Sequence, residues 1–306
     1  MTMLSRVLGL ARDVILAAVV GASANADAFF IAFKIPNFLR RLFAEGAFAQ
    51  AFVPVLAECR EKGGQAAVRA LVDRIAGVLG GTLLLITIVT MFAAPLVAGL
   101  FAPGYITQPA KFALTADLIR ITFPYLMLIS LTGMCGAILN SYGRFAVPAF
   151  TPVLLNLSLI SAALLAAPHF SEPAFALAWG VLFAGLIQLL FQMPFLYRLN
   201  LVPKPRWEPK HEGVRQVMTL MLPALFGVSV SQLNLLLDTV IASFLPTGSV
   251  SWLYYSDRLT ELPLGVFAIA VATVIMPSLA AHKAAARETD YSRTLDWAVR
   301  TVLLVG

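Results

Sequence analysis

LRRLFAEGAF, residues 39–48, sits between AFFIAFKIPNF (28–38) and AQAFVPVLA (49–57). Arg40, Arg41 and Glu45 therefore interrupt an apolar run about 30 residues long. A helix of that length measures about 45 Å, whereas the hydrocarbon core of a bilayer is about 30 Å thick. If the run crosses a membrane intact, the two arginines lie near mid-depth, too deep for easy snorkelling to the surface. If the crossing ends at Arg41, residues 42–57 lie along the inner surface instead. Arg41 and Glu45 are four apart and can pair on a helix; Arg40 has no such local acid. Pro36 and Gly46 flank the stretch and weaken the helix where it would bend.

The rest of the chain supplies the membrane. Hydrophobic residues make up 59% of the 306 positions, charged residues only 12%, and the mean hydropathy is +0.85. Soluble domains carry about 25% charged residues. The apolar runs are about 20 residues long and continuous, which fits helices rather than the short alternating strands of a barrel. The expected fold is thus an all-α polytopic membrane protein. Its spans are read at about 3–22, 28–57, 76–99, 117–140, 147–168, 174–197, 216–245 and 252–280. A ninth starts near 295 and is unfinished at Gly306, so the chain reads as a fragment. Arg6, Arg12, VILAAVVGA and ASANADA together imitate a secretory signal, but Asp13 is misplaced for one and the later spans anchor the chain regardless.

Sorting basic residues by connection gives the orientation. One alternate set holds Arg60, Lys62, Arg69 and Arg74, then Arg144, then Arg198, Lys204, Arg206, Lys210 and Arg215, then Lys283, Arg287 and Arg293; the other holds only Lys111. The expected N-terminus is cytoplasmic. The formal charge of +6 is explained by this bias rather than by nucleic acid. Cys59 and Cys135 show no metal or disulfide spacing. His169, His211 and His282 are dispersed, and no HExxH, P-loop or GxSxG is present. Neither a metal, a cofactor nor a catalytic constellation is expected, so the protein reads as a transporter and not an enzyme.

An internal echo suggests two halves. Asp13 to Pro54 spans the first hairpin and Asp238 to Pro277 spans the seventh and eighth runs; Pro54-Val-Leu-Ala echoes Pro277-Ser-Leu-Ala. Both begin on the same side, giving a parallel repeat of six spans, and transporters place their substrate site between such repeats. The expected organisation is a first six-helix lobe at 1–198, a basic linker at 199–215, and the opening of a second lobe at 216–306.

Charges inside spans are costly and usually face a protein interior or a wet cavity. Arg6 and Asp13 are two helical turns apart and share a face, with Arg12 about a third of a turn away; Arg6 also suits a simple cytoplasmic anchor. Asp27 caps the second helix or stands at a cavity mouth. In YYSDRLTEL, Arg258 pairs with Glu261 at three-residue spacing. If the hairpins are equivalent halves, the arginines of spans one, two and eight converge on one chamber. Guanidinium groups there would match phosphate or carboxylate oxygens bidentately.

SRVLGLARD (5–13), ADAFFIAFKIPNFLRRLFAEGAFAQAFVPVLAE (26–58), PAFTPVLLN (148–156) and SVSWLYYSDRL (249–259) closely resemble the MurJ, or MviN, family of lipid II flippases, and the likeness runs through the whole chain. The resemblance implies the multidrug/oligosaccharidyl-lipid/polysaccharide exporter superfamily, with two six-helix lobes and two further helices. It implies transfer of undecaprenyl-pyrophosphate-linked peptidoglycan precursor (lipid II) from the inner to the outer leaflet of the bacterial cytoplasmic membrane. Arg6, Arg12, Arg40 and Arg258 then match the family's substrate-holding arginines, while Asp27 and Glu261 match acids that gate or balance charge. Membrane potential or a coupled ion would supply the energy. Other readings are an exporter of another lipid-linked oligosaccharide or small molecule, and a membrane-embedded enzyme acting on a lipid pyrophosphate. The enzyme lacks a general base or metal-binding acids here.

Overall fold

The computed structural model describes residues 2–40, 47–263, 275, 278–279 and 288–305. Among them there are helices and no strands, as the apolar runs require, because a backbone in lipid must satisfy its hydrogen bonds within itself. The helices are α1 (Thr2–Val19), α2 (Ala24–Arg40), α3 (Phe48–Phe92), α4 (Ala94–Phe101), α5 (Pro109–Thr122), α6 (Tyr125–Ser141), α7 (Ala146–Ser161), α8 (Pro173–Arg198), α9 (Glu212–Ser243), α10 (Ser249–Pro263) and α11 (Glu288–Val305). Residues 1–251 form one compact unit and 252–306 a second.

Four helical segments among the described residues are long and apolar enough to cross a membrane: Phe48–Phe92, Pro109–Ser141, Ala146–His169 and Pro173–Arg198. The last two lie within one or two residues of the expected spans. Proline sets the starts of α5 and α8, where its missing N–H costs nothing.

The third span differs from its expected bounds. The helix runs from Phe48 to Phe92 and bends at Gly64 (φ 64°, ψ −162°) instead of starting at residue 76. Residues 48–57 thus belong to a helix that continues through the basic stretch 60–74. The apolar run then breaks at Ala93, and α4 follows. Hydropathy marks Arg60 to Arg74 as a connection because it is polar. The chain nonetheless stays helical there, because helix formation depends on backbone preference and packing, not on lipid contact. Lys111 also moves: it lies in the first turn of α5, not in a connection.

In the first unit α8 is central, packed against α6, α7, α5 and α2, while α1 packs on α7 and α3 on both α6 and α9. Its buried face is rich in small residues, among them Ala176, Gly180, Ala184 and Gly185. Membrane helices associate by close van der Waals approach of this kind, since lipid gives no hydrophobic drive between them. The complementary face is greasy and exposed: Trp179, Phe183, Ile187 and Leu190 on α8, and Leu85, Val89 and Phe92 on α3. A second core joins Phe52, Leu56, Leu71, Val72 and Ile75 of α3 to Ile138 of α6, Leu196 of α8, and Val214 and Val217 of α9. The first turns of α9 are thereby fixed to α3, α6 and α8.

In the second unit the described residues are the remainder of α10, residues 275 and 278–279, and the helix α11. Pro277, half of the sequence echo, lies outside the described residues.

Candidate functional site

Two buried polar clusters occupy the first unit. The first is built around Asp27. Ser23 closes the start of α2 by accepting the Ala26 N–H on its hydroxyl at 3.2 Å, so the helix cap that Asp27 was one candidate to provide is already filled. Asp27 is only 1% exposed and turns toward other helices. Its Oδ2 accepts from the Lys111 ammonium and from the Gly248 N–H, both at 2.7 Å. Its Oδ1 accepts from the Ser251 N–H at 2.9 Å and the Ser251 hydroxyl at 2.6 Å.

Four donors fill the capacity of an ionised carboxylate. Gly248 and Ser251 open α10, so Asp27 caps that helix from outside the local sequence, where the dipole favours negative charge. The Lys111 ammonium also stands 4.0 Å from the centroid of the buried Tyr105 ring. Beside this hub the chain makes an uncharged contact: the Gly104 N–H donates to Ser243 Oγ at 3.1 Å, tying the α4–α5 connection to the end of α9. The cluster therefore joins α2 and α5 to the end of α9 and the start of α10.

The second cluster lies on α1. Arg12, 7% exposed, donates to Asp13 Oδ1 from Nε at 2.8 Å and from Nη2 at 2.6 Å, and to Asn156 Oδ1 from Nη1 at 3.0 Å. Asn156 in turn donates to the Ser5 carbonyl at 3.0 Å, stitching α7 along α1. Asp13 shares a face with Arg6 on a helical wheel, yet its acid is taken by its immediate neighbour. Asp13→Ala would remove the carboxylate that accepts from two nitrogens of the buried Arg12 guanidinium, and breaking a buried pair in this way costs about 3–5 kcal/mol. A clear drop in thermal unfolding temperature of the purified protein is the expected result.

The other expected site residues are placed individually. Arg6 is half-buried on α1. Arg40 closes α2 and donates to Asn37 Oδ1 at 3.3 Å, while Asn37 itself donates to the Phe33 carbonyl. The expected Arg41–Glu45 pair lies outside the described residues. Arg258 belongs to the second unit, with its guanidinium 5.3 Å from the Tyr254 ring centroid; Glu261 is helical in backbone, and its side chain lies outside the description. The structure thus gathers Asp27 and Arg12 into separate buried clusters. A cavity of about 370 Å³ lined by Leu56, Arg60, Glu61 and Tyr142 includes none of the six.

Sequence reading missed Lys111, Ser251, Gly104 and Asn156. Lys111 carried a signal, being the one basic residue on its side of the charge count. Buried as Lys111 is in the structure, its charge is costly without a partner. The partner is 84 positions away.

The family model described as lipid II flippase MurJ matches residues 16–306. The probable lipid II flippase MurJ of Haemophilus influenzae is 52% identical over 319 residues, covering 100% of this chain and 62% of that protein. The corresponding protein of Vibrio cholerae is 50% identical, covering 100% and 60%. Among solved structures, a lipid II flippase MurJ in an inward closed conformation aligns with a TM-score of 0.79 at 30% identity, over 99% of this chain and 61% of that one. An inward-facing multidrug resistance transporter of the MATE family aligns at 0.67 with 14% identity, a likeness of fold alone. The chain spans about three-fifths of the length of the curated relatives it matches. By family model and by identity along its whole length, the chain belongs to the MurJ family of lipid II flippases.

Proposed function

We propose that the complete protein carries lipid II from the inner to the outer leaflet of the bacterial cytoplasmic membrane by alternating access, and that the Asp27 cluster is its outer closure. The observation that carries this reading is the Asp27 hub itself. A buried, fully satisfied carboxylate joins first-lobe helices to the start of α10. Helix α9 begins at the basic linker and ends beside the hub, about 48 Å away at a rise of about 1.5 Å per residue. With the basic connections cytoplasmic, as the charge bias favours, the hub lies at the outer face and the N-terminus inside.

On this reading the headgroup enters from the cytoplasm while the polyprenyl tail stays in lipid. Arg6, Arg40 and Arg258 face the pyrophosphate and acidic peptide, and Arg12 holds α1 in place while adding positive potential. Glu261 balances that charge. Closing the inner side requires the outer seam to part, so the Asp27 contacts must break once per cycle. Membrane potential, worth about 2.3 kcal/mol per charge per 100 mV, or a coupled ion would supply the drive.

The test uses cells in which this protein, made from its complete gene, is the sole flippase. Arg40→Ala and Arg258→Ala are each expected to cause lysis, with lipid II accumulating in the inner leaflet at normal protein abundance. Normal growth of either variant would remove the substrate-holding role. Normal growth of both would remove the cationic chamber.

A further inference from the structure

Between α8 and α9 the chain is neither helical nor loose. The Lys204 N–H donates to Asp73 Oδ1 at 2.7 Å and the Arg206 N–H to the Asp73 carbonyl at 2.9 Å. Arg74 Nε donates to Glu208 Oε2 at 2.7 Å, and that hydrogen bond holds the exposed Glu208 carboxyl below its ordinary value. Two glycines of α3, four apart, make room for the segment. A Cβ on Gly77 would lie 2.1 Å from the Arg206 carbonyl oxygen, and one on Gly81 would lie 2.5 Å from the Trp207 ring. This is a strap pressed onto one helix face rather than a tether between lobes.

Its position along α3 identifies the surroundings. Asp73 and Arg74 close the polar middle stretch of α3, and Gly81 is about 12 Å further along. The exposed apolar side chains Leu84, Leu85, Ile88 and Val89 begin within one turn of Gly81. Trp207 therefore lies where water gives way to lipid, the depth that tryptophan favours. It is 60% exposed, with its six-membered ring against Gly81. Lys204, Arg206 and Lys210 are exposed alongside it. Among the described residues, none of these three side chains makes a hydrogen bond or an ion pair.

We infer that the strap at 203–210 is a seat for anionic phospholipid headgroups. Fixing the strap backbone on Asp73 holds three cations beside an interfacial indole. Lipid phosphates there gain charge-assisted contacts without the strap having to order itself on binding. A basic residue near an anionic bilayer contributes about fivefold in affinity. A polar linker serving only to join lobes needs neither the glycine-faced groove nor the exposed tryptophan. The inference does not rest on lipid II transport.

The test places the protein, made from its complete gene, in nanodiscs containing brominated phosphatidylglycerol or brominated phosphatidylcholine. The Trp207 signal is isolated by difference from Trp207→Phe. Stronger quenching by the anionic lipid is expected, weakening with added salt. In Lys204→Gln/Arg206→Gln/Lys210→Gln that preference is expected to fall about tenfold or more; the three positions are exposed, so the fold is retained. Equal quenching by the two lipids identifies Trp207 as a plain interfacial anchor and overturns the proposal. An unchanged preference in the triple variant overturns it too, as does quenching by neither lipid, the result expected if a soluble acidic protein covers the strap.

Discussion

Asp27→Ala is expected to abolish growth of cells that depend on this protein, while the protein still inserts in the membrane at near-normal abundance. The alanine leaves the Lys111 ammonium buried beside Tyr105 with no carboxylate, and it uncaps α10 at Gly248 and Ser251. Breaking a buried pair by removing one partner costs about 3–5 kcal/mol. That shifts the balance between closed and open outer faces by more than about a hundredfold. Two functional states normally differ by only a few kcal/mol, so the closed state is lost and with it the inward-open half of the cycle. Asp27→Asn is expected to be nearly as severe, because its amide cannot neutralise Lys111. The exchange Asp27→Lys with Lys111→Asp restores the ion pair but leaves the α10 N–H groups facing a cation, so it is not expected to rescue growth. Rescue by the exchange would show that only the charge pair matters and would refute the helix-capping part of the argument.

Gly104→Ala is the second severe change. Gly104 has an ordinary φ, so its requirement is space: a Cβ would sit 2.2 Å from the Ser243 carbonyl oxygen and 2.7 Å from the Phe244 nitrogen. Both obstacles are backbone, and no rotamer can relieve them. The end of α9 must move away, losing the Gly104 contact and loosening the Asp27 cluster beside it. Overpacking of this kind costs about 1–3 kcal/mol, a shift of about 5- to 150-fold against the closed outer face. Appearance of lipid II in the outer leaflet is expected to slow accordingly. Gly99→Ala is the matched control, because its Cβ meets nothing closer than 3.9 Å. The control is expected to stay within about twofold of the parent. Equal behaviour of the two variants would exclude the close contact as the cause.

These residues show where the sequence was legible. Spans five and six were readable to within one or two residues because proline and short polar connections bound them on both sides. The third was not, because polarity and helix ending are different properties: α3 remains helical from Arg60 to Arg74 while leaving the lipid. The arginines and Asp27 stood out because a charge inside an apolar run is costly wherever it occurs. Their partners did not. Asn156 lies 144 positions from Arg12, and Ser251 lies 224 positions from Asp27. Both are uncharged residues whose roles arise only when α1 meets α7 and α2 meets α10. Helical spacing put Asp13 on one face with Arg6, and Arg12 about a third of a turn away, yet Asp13 pairs with Arg12 where α1 is buried against α7.

The most direct test of the outer closure is thiol labelling of Val250→Cys, which is buried between the two hub donors Gly248 and Ser251 without bonding to Asp27. With Cys59→Ser, Cys135→Ala and any further cysteine of the complete protein replaced, cells are treated from outside with a membrane-impermeant maleimide. Slow labelling is expected in the parent, faster labelling while lipid II is being supplied, and a rise of more than about tenfold in Asp27→Ala. A rate that responds to neither the Asp27 side chain nor the lipid II supply would contradict the account.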